Sequence, residues 1–99
     1  MMILTKAIKE KLIANHKAQD GTKSFKAVLK LFNPTGIGTW YLSELNPENN
    51  NAFGLCCLTE EEVGYVNLDE LLGYKGQLGL GIERDKFFKP KTLEECKQK

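Results

Sequence analysis

The sequence predicts an α+β fold: a mainly antiparallel sheet of four to five strands, with an N-terminal helix packed on one face and short helices near the C-terminus. Three observations support this. Apolar residues near the start recur at helical spacing. Residues 29–45 contain two apolar strands joined by a turn with proline at its second position, and shorter segments of alternating polarity follow them. The length of 99 residues is that of a single domain, residues 1–99, with one modest core.

The N-terminal helix is predicted over residues 5–19. Thr5 is a suitable N-cap, and Asp20-Gly21 supplies a stop signal. The residues on one helical stripe are Leu4, Ala7, Ile8, Leu12 and Asn15. This stripe is the face expected to pack on the sheet.

The hairpin is predicted from Asn33-Pro34-Thr35-Gly36, which follows the residue preferences of a type I turn. Before the turn, Ala27, Leu29 and Leu31 form one apolar face of a strand that we expect in the interior of the sheet. After it, simple alternation places Glu44 on the same face as Trp40 and Leu42, and Tyr41, Ser43 and Leu45 on the other.

The second half of the chain contains weaker signals for short elements. Thr59 and Glu62 resemble a capping box for a single helical turn, Asn67 is a suitable cap for the next helix, and Thr92 with Glu95 forms a capping box for the last. The predicted elements are strands at 52–58, 63–66 and 78–84, a helix at 68–72 and a short C-terminal helix after residue 92.

Composition predicts a cytoplasmic protein without a membrane segment. The sequence has no apolar run near the roughly 20 residues that a membrane helix needs, and lysines follow Met1–Leu4 too early for a secretory signal. Three cysteines, two of them adjacent, do not suit a disulfide framework, so we expect reduced thiols.

The formal charge of +1 hides a strong segregation along the chain. Residues 1–30 carry seven lysines against two acids, residues 31–72 carry seven acids and no Lys or Arg, and residues 73–99 carry seven basic residues against four acids. Such asymmetry indicates charged partners rather than a particular fold.

A family resemblance rests on linked motifs in a fixed order. They are KLFNPTGIGTWYLSELNPE, AFGLCCL, EVGYVNLDEL, LGLGIERD, FFKP and TLEE. The chain resembles a bacterial domain-of-unknown-function family, number 2958, of small single-domain proteins found on conjugative plasmids and other mobile elements. The resemblance implies a cytoplasmic protein in a mobile-element setting, and it implies no activity.

The leading functional hypothesis is a non-enzymatic module that binds another protein through a charged face, without a cofactor. Its basis is the charge segregation and the lack of a complete catalytic set. The alternative is a metal-dependent nuclease or other nucleic-acid-processing enzyme, in which Mg²⁺ would be held by clustered carboxylates. The candidates are Glu44, Glu62, Asp69, Glu83 and Asp85.

The candidate binding residues are Trp40, Tyr41, Tyr65 and Arg84. The three aromatic residues could stack on nucleic-acid bases, with the N-terminal lysines as phosphate contacts, although a net charge near zero does not favour this partner. Trp40 could equally anchor the core. An exposed edge strand would make a homodimer easy to form. His16 and the cysteines lack zinc-site spacing. The loop from Asn33 to Thr39 contains Gly36 and Gly38 but lacks the lysine and helix of a phosphate loop.

Overall fold

The computed structural model describes residues 4–75 and 79–97, which form a five-stranded antiparallel sheet and three helices. The strands lie in the order β4-β3-β2-β1-β5. The α+β prediction is therefore confirmed. The elements are α1 (Lys6–Ala18), β1 (Leu29–Phe32), β2 (Thr39–Asn46), β3 (Asn51–Cys57), β4 (Glu61–Asn67), α2 (Leu68–Gly73), β5 (Glu83–Arg84) and α3 (Leu93–Cys96).

Helix α1 begins where its cap residue predicts. The Thr5 hydroxyl accepts a hydrogen bond from the Ile8 amide at 3.2 Å, which satisfies one of the amides that a helix start leaves without a partner. Leu12 is fully buried against the sheet. Within the described residues, no helix combines the length and apolar character needed to cross a membrane.

The β1–β2 hairpin is confirmed, with Leu31 opposite Trp40 and Phe32 opposite Thr39. The amide of Asn33 donates to the carbonyl of Gly38 at 2.9 Å, so the loop spans residues 33–38. Gly38 has a φ of 137°, and a Cβ there would lie 2.5 Å from the Trp40 ring. Glycine is thus required both for the backbone conformation and for the close approach of the indole.

A β-bulge in β2 overturns the predicted faces of the residues from Ser43 onward, while Trp40, Tyr41 and Leu42 lie on the faces predicted for them. Leu42 pairs with Gly54 but Glu44 pairs with Phe53, so Ser43 is an extra residue in the ladder. The alternation therefore shifts by one position, and Leu45, not Glu44, joins the core that contains Trp40 and Leu42. A regular period of two cannot anticipate this inserted residue.

The bulge is held by polar side chains. The side-chain amide of Asn15, which is buried on α1, donates to the Ser43 carbonyl at 3.0 Å. The Ser43 hydroxyl donates to the Phe53 carbonyl at 3.3 Å. These bonds give the carbonyls of Ser43 and Phe53 side-chain donors beside the bulge.

The sheet separates two apolar clusters. The helix-side core lies beneath α1 and α2 and includes Leu12, Trp40 and Leu42. The opposite core is smaller and consists of the buried residues Ala27, Tyr41, Leu55 and Cys96. Residues 85–97, termed the C-terminal segment below, cover this second face through Phe88, Leu93 and Cys96.

Two other predicted elements differ in the structure. The helical turn predicted at residues 59–62 is wrong, because the β3–β4 pairing extends to Cys57 opposite Glu61 and leaves only a short loop. The strand predicted at 78–84 is reduced to β5 at Glu83–Arg84, since Gly79 has a φ of 71°, which is incompatible with an extended strand. Leu78, where that strand was predicted to begin, lies outside the described residues.

Candidate functional site

The five carboxylates of the nuclease hypothesis lie in different parts of the fold. Glu62 is on β4 and Glu83 is on β5, at opposite edges with three strands between them. Four strand spacings of about 4.8 Å place these two edges about 19 Å apart. Across residues 4–75 and 79–97, no group of three His, Cys, Asp or Glu side chains is arranged to hold a metal ion.

Glu44 and Asp85 have structural contacts of their own. The Glu44 carboxylate is buried and accepts a hydrogen bond from the Gln19 side-chain amide at 2.9 Å. The same Gln19 nitrogen donates to the Lys23 carbonyl at 2.8 Å, which ties the segment after α1 to the bulged strand. Asp85 lies 3.6 Å from the Lys30 ammonium. Asp69, at the start of α2, accepts a hydrogen bond from Asn50.

The candidate aromatic residues occupy contrasting environments. Trp40 and Tyr41 are buried on opposite faces of β2, in the helix-side core and the second core respectively. Their rings stabilise the fold and do not offer a free stacking surface. Tyr65 is 74% exposed on β4, where its ring packs against Phe53 with a centroid separation of 5.1 Å.

The outer strand β4 has an acidic end and an apolar centre. Glu60 precedes it, Glu61 and Glu62 begin it, and the exposed Val63 and Tyr65 follow on one face. Part of the acidic segment, residues 31–72, thus lies at one edge of the sheet. We refer to the outer side of residues 61–67 as the β4 edge.

The opposite edge is basic, and its main features escaped the sequence analysis. Two adjacent clefts beside β5, of about 610 and 310 Å³, share Lys30, Asp85 and Phe87 in their walls. Arg84, a predicted binding residue, lines the larger cleft. Phe87 is 92% exposed, yet nothing in the run KFFKPK showed which of its two phenylalanines would face the solvent.

The cysteines show no sign of nucleophilic activation. Cys56 and Cys57 point into opposite cores, as expected for neighbours on a strand, and all three cysteines are free thiols. Burial raises the pKa of the Cys56, Cys57 and Cys96 thiols, and nearby glutamates add to the effect at the first two. A raised pKa lowers the population of the reactive thiolate.

Comparison with known proteins gives a family and no activity. A family model described as "Protein of unknown function (DUF2958)" matches residues 3–94. The searches of curated proteins and of solved structures find no match. Because the matched region covers nearly the whole chain, the protein belongs to the DUF2958 family.

Proposed function

We propose that this protein is a non-enzymatic interaction module that binds an extended segment of another protein along the β4 edge. The observation that carries the proposal is an uninterrupted outer strand with exposed apolar side chains. Addition of a strand to such an edge is a common mode of peptide recognition, in which main-chain hydrogen bonds give affinity and side-chain contacts give specificity.

The β4 edge is long and regular. β4 pairs with β3 from Asn51 opposite Asn67 to Cys57 opposite Glu61, with no shift in register. No other strand of the described chain pairs with its outer side. Proteins usually protect such edges with lysine, proline or a bulge, and the β4 sequence EEVGYVN contains neither lysine nor proline.

The side chains on β4 define the kind of segment that would fit. Val63 is 48% exposed and Tyr65 is 74% exposed, so an added strand would gain contacts with apolar surface on one face. Glutamates at the start of the strand favour basic residues at the corresponding end of the partner. We therefore propose an extended partner segment with alternating apolar residues and a basic terminus.

We also propose the setting that the family resemblance implies, a bacterial cytoplasmic protein encoded on a conjugative plasmid or another mobile element. The charge segregation of the chain is in keeping with a role in assembly with other proteins. Expression of the partner from the same element would place the two proteins in one compartment.

The test compares three forms of the tagged protein as bait in an extract of cells that carry the element. Tyr65→Lys places a charge on the β4 edge, where a lysine disfavours strand addition. Tyr74→Lys is the matched control, since Tyr74 is also exposed but follows α2. We expect a partner that is captured by the wild type and by Tyr74→Lys and is lost with Tyr65→Lys.

Two results would contradict the proposal. One is the absence of any specific partner of the wild type, and the other is equal capture by Tyr65→Lys. Light scattering of the purified protein addresses the homodimer: a dimer that Tyr65→Lys converts to a monomer would show that the β4 edge binds a second copy instead.

A further inference from the structure

We infer that the basic cleft beside β5 binds single-stranded nucleic acid, with Phe87 as a stacking platform and the surrounding cations as phosphate contacts. This site lies at the sheet edge opposite β4 and does not depend on the function proposed above. It is also distinct from the aromatic residues considered in the sequence analysis, of which two are buried.

The cleft has the shape of an open groove. Its floor is the face of β1 and β2 that carries Lys30, Phe32 and Thr39, and its wall is the start of the C-terminal segment. The second cleft continues it along Phe88, Lys89 and Lys91. A groove that continues past one binding position suits a chain of linked units better than a compact ligand.

A tight turn presents Phe87 to the solvent. The Asp85 carboxylate accepts a hydrogen bond from the Phe87 amide at 2.9 Å, and the Asp85 carbonyl accepts one from the Phe88 amide at 3.3 Å. The Asp85 amide donates to the Lys30 carbonyl at 3.0 Å, so the turn is anchored to β1. Phe88 points inward and packs on Tyr41 at 5.8 Å, which leaves Phe87 on the outer side.

The exposure of Phe87 is not explained by packing. At 92% exposure its ring contributes almost nothing to either core, while its neighbour Phe88 fills the second core. An exposed ring held on an anchored turn between basic residues matches the stacking platforms of single-strand binding proteins.

The lining of the groove is mainly basic. The lining of the two clefts includes five basic residues, namely Lys30, Arg84, Lys86, Lys89 and Lys91. Arg84 pairs opposite Leu31, whose side chain enters the helix-side core, so the four lysines are the cations that face the groove. The Asp85 carboxylate belongs to the same lining, with the Lys30 ammonium 3.6 Å from it, and Glu83 pairs opposite Phe32 on the face that forms the floor. The groove therefore keeps a local excess of positive charge that the net charge of the whole chain conceals.

The basic lining and the exposed Phe87 ring together indicate the class of ligand. Backbone phosphates require cations, and an unpaired base offers a flat face to Phe87, whereas the bases of a duplex are already stacked on one another. An acidic peptide would satisfy the cations but would leave the exposed ring without a planar partner. Single-stranded nucleic acid uses both parts of the site.

The test is fluorescence anisotropy with a labelled oligothymidine of about 15 nucleotides, a length at the upper end of single-strand site sizes. We expect binding that weakens with salt, with a slope of log K against log salt of about −2 to −3, as for three or four phosphate contacts. Phe87→Ala should weaken binding about fivefold or more. Lys89→Glu should weaken it further and flatten the salt dependence.

Matched controls locate the effect in the groove. Tyr74→Ala removes an exposed aromatic ring that follows α2, and Lys9→Glu makes the same charge change on exposed α1. Both should bind as the wild type does. Because Phe87 and Lys89 are exposed, their variants should retain the wild-type melting temperature.

Four results would overturn the inference. They are no binding of the wild type at low salt, equal binding by Phe87→Ala, equal affinity for polyglutamate, and an affinity for thymidine monophosphate as high as that for the oligonucleotide. The third would identify an acidic protein as the ligand of the groove, and the fourth a free nucleotide.

Discussion

Replacement of Gly54 by alanine should destabilise the fold severely, whereas the same change at Gly64 should not. The two glycines face each other across the β3–β4 ladder. A Cβ at position 54 would overlap the carbonyl oxygen of Tyr41 and lie 2.8 Å from the Cα of Leu42. A Cβ at position 64 would have no neighbour within 4 Å.

The magnitude follows from what the new methyl group meets. Overpacking against flexible side chains costs about 1–3 kcal/mol. At Gly54 the contacts are with the backbone of β2 beside its bulge, which cannot rotate away, so we expect a loss of about 3 kcal/mol or more. This corresponds to a fall in melting temperature of about 12 °C or more for a domain of this size. Gly64→Ala should be neutral or stabilise by up to about 1 kcal/mol, since alanine restricts the unfolded chain.

Urea unfolding followed by the fluorescence of Trp40 measures both variants. Trp40 is the only tryptophan and is 7% exposed, so its emission reports the loss of the helix-side core. If the slope of unfolding free energy against urea concentration is the same for the variants and the wild type, the same unfolding transition is being compared. A loss below about 1 kcal/mol for Gly54→Ala, or equal losses for both variants, would refute the close approach of β2 and β3 at this point.

Three further predictions concern the bulge, the thiols and the nuclease alternative. Asn15→Ala should cost about 1–3 kcal/mol by removing the buried hydrogen bond to Ser43, while exposed Lys17→Ala should stay within about 0.5 kcal/mol in the same urea assay. Burial raises the pKa of the Cys56 thiol in the folded protein above its ordinary value of 9.0. The stability that the neutral buried thiol contributes is therefore present below pH 9.0 and is lost as the pH rises through the folded pKa. Between pH 7 and pH 10, the free energy of unfolding should therefore fall less for Cys56→Ser than for the wild type. Urea unfolding under reductant at the two pH values measures this difference. Incubation with DNA or RNA and Mg²⁺ or Mn²⁺ should leave the substrates intact and the melting temperature unchanged, and cleavage would instead support the nuclease.

The elements with local signals were predictable from the sequence. Thr5 and Asn67 cap helices where the pattern placed them, and Thr92 with Glu95 forms the capping box of α3. Each of these signals is a hydrogen bond between residues three positions apart, so it depends little on the rest of the fold. The β1–β2 hairpin was likewise predicted from its turn residues.

The bulge and the placement of the site depended on tertiary structure. Ser43 has nothing in its sequence context that marks it as an extra residue, because the bonds that stabilise it come from distant Asn15 and from the Phe53 carbonyl. The charge runs were visible in the sequence, but their separation to opposite sheet edges follows from the strand order. The role of Phe87 required knowing which ring of the Phe87-Phe88 pair enters the second core.

The two faces of the sheet are unequally covered, and this sets the order in which the protein should open. Within the described chain, the helix-side core buries ten apolar residues and the second core four. The C-terminal segment is tied to the sheet through its side chains, through paired hydrogen bonds between Ala27 and Lys91 of 2.7 and 3.3 Å, and through the bond from the Asp85 amide to the Lys30 carbonyl. Its amides should therefore exchange with deuterium earlier than those of β2 and β3. A ligand held between this segment and β1 would slow that exchange without touching the helix side.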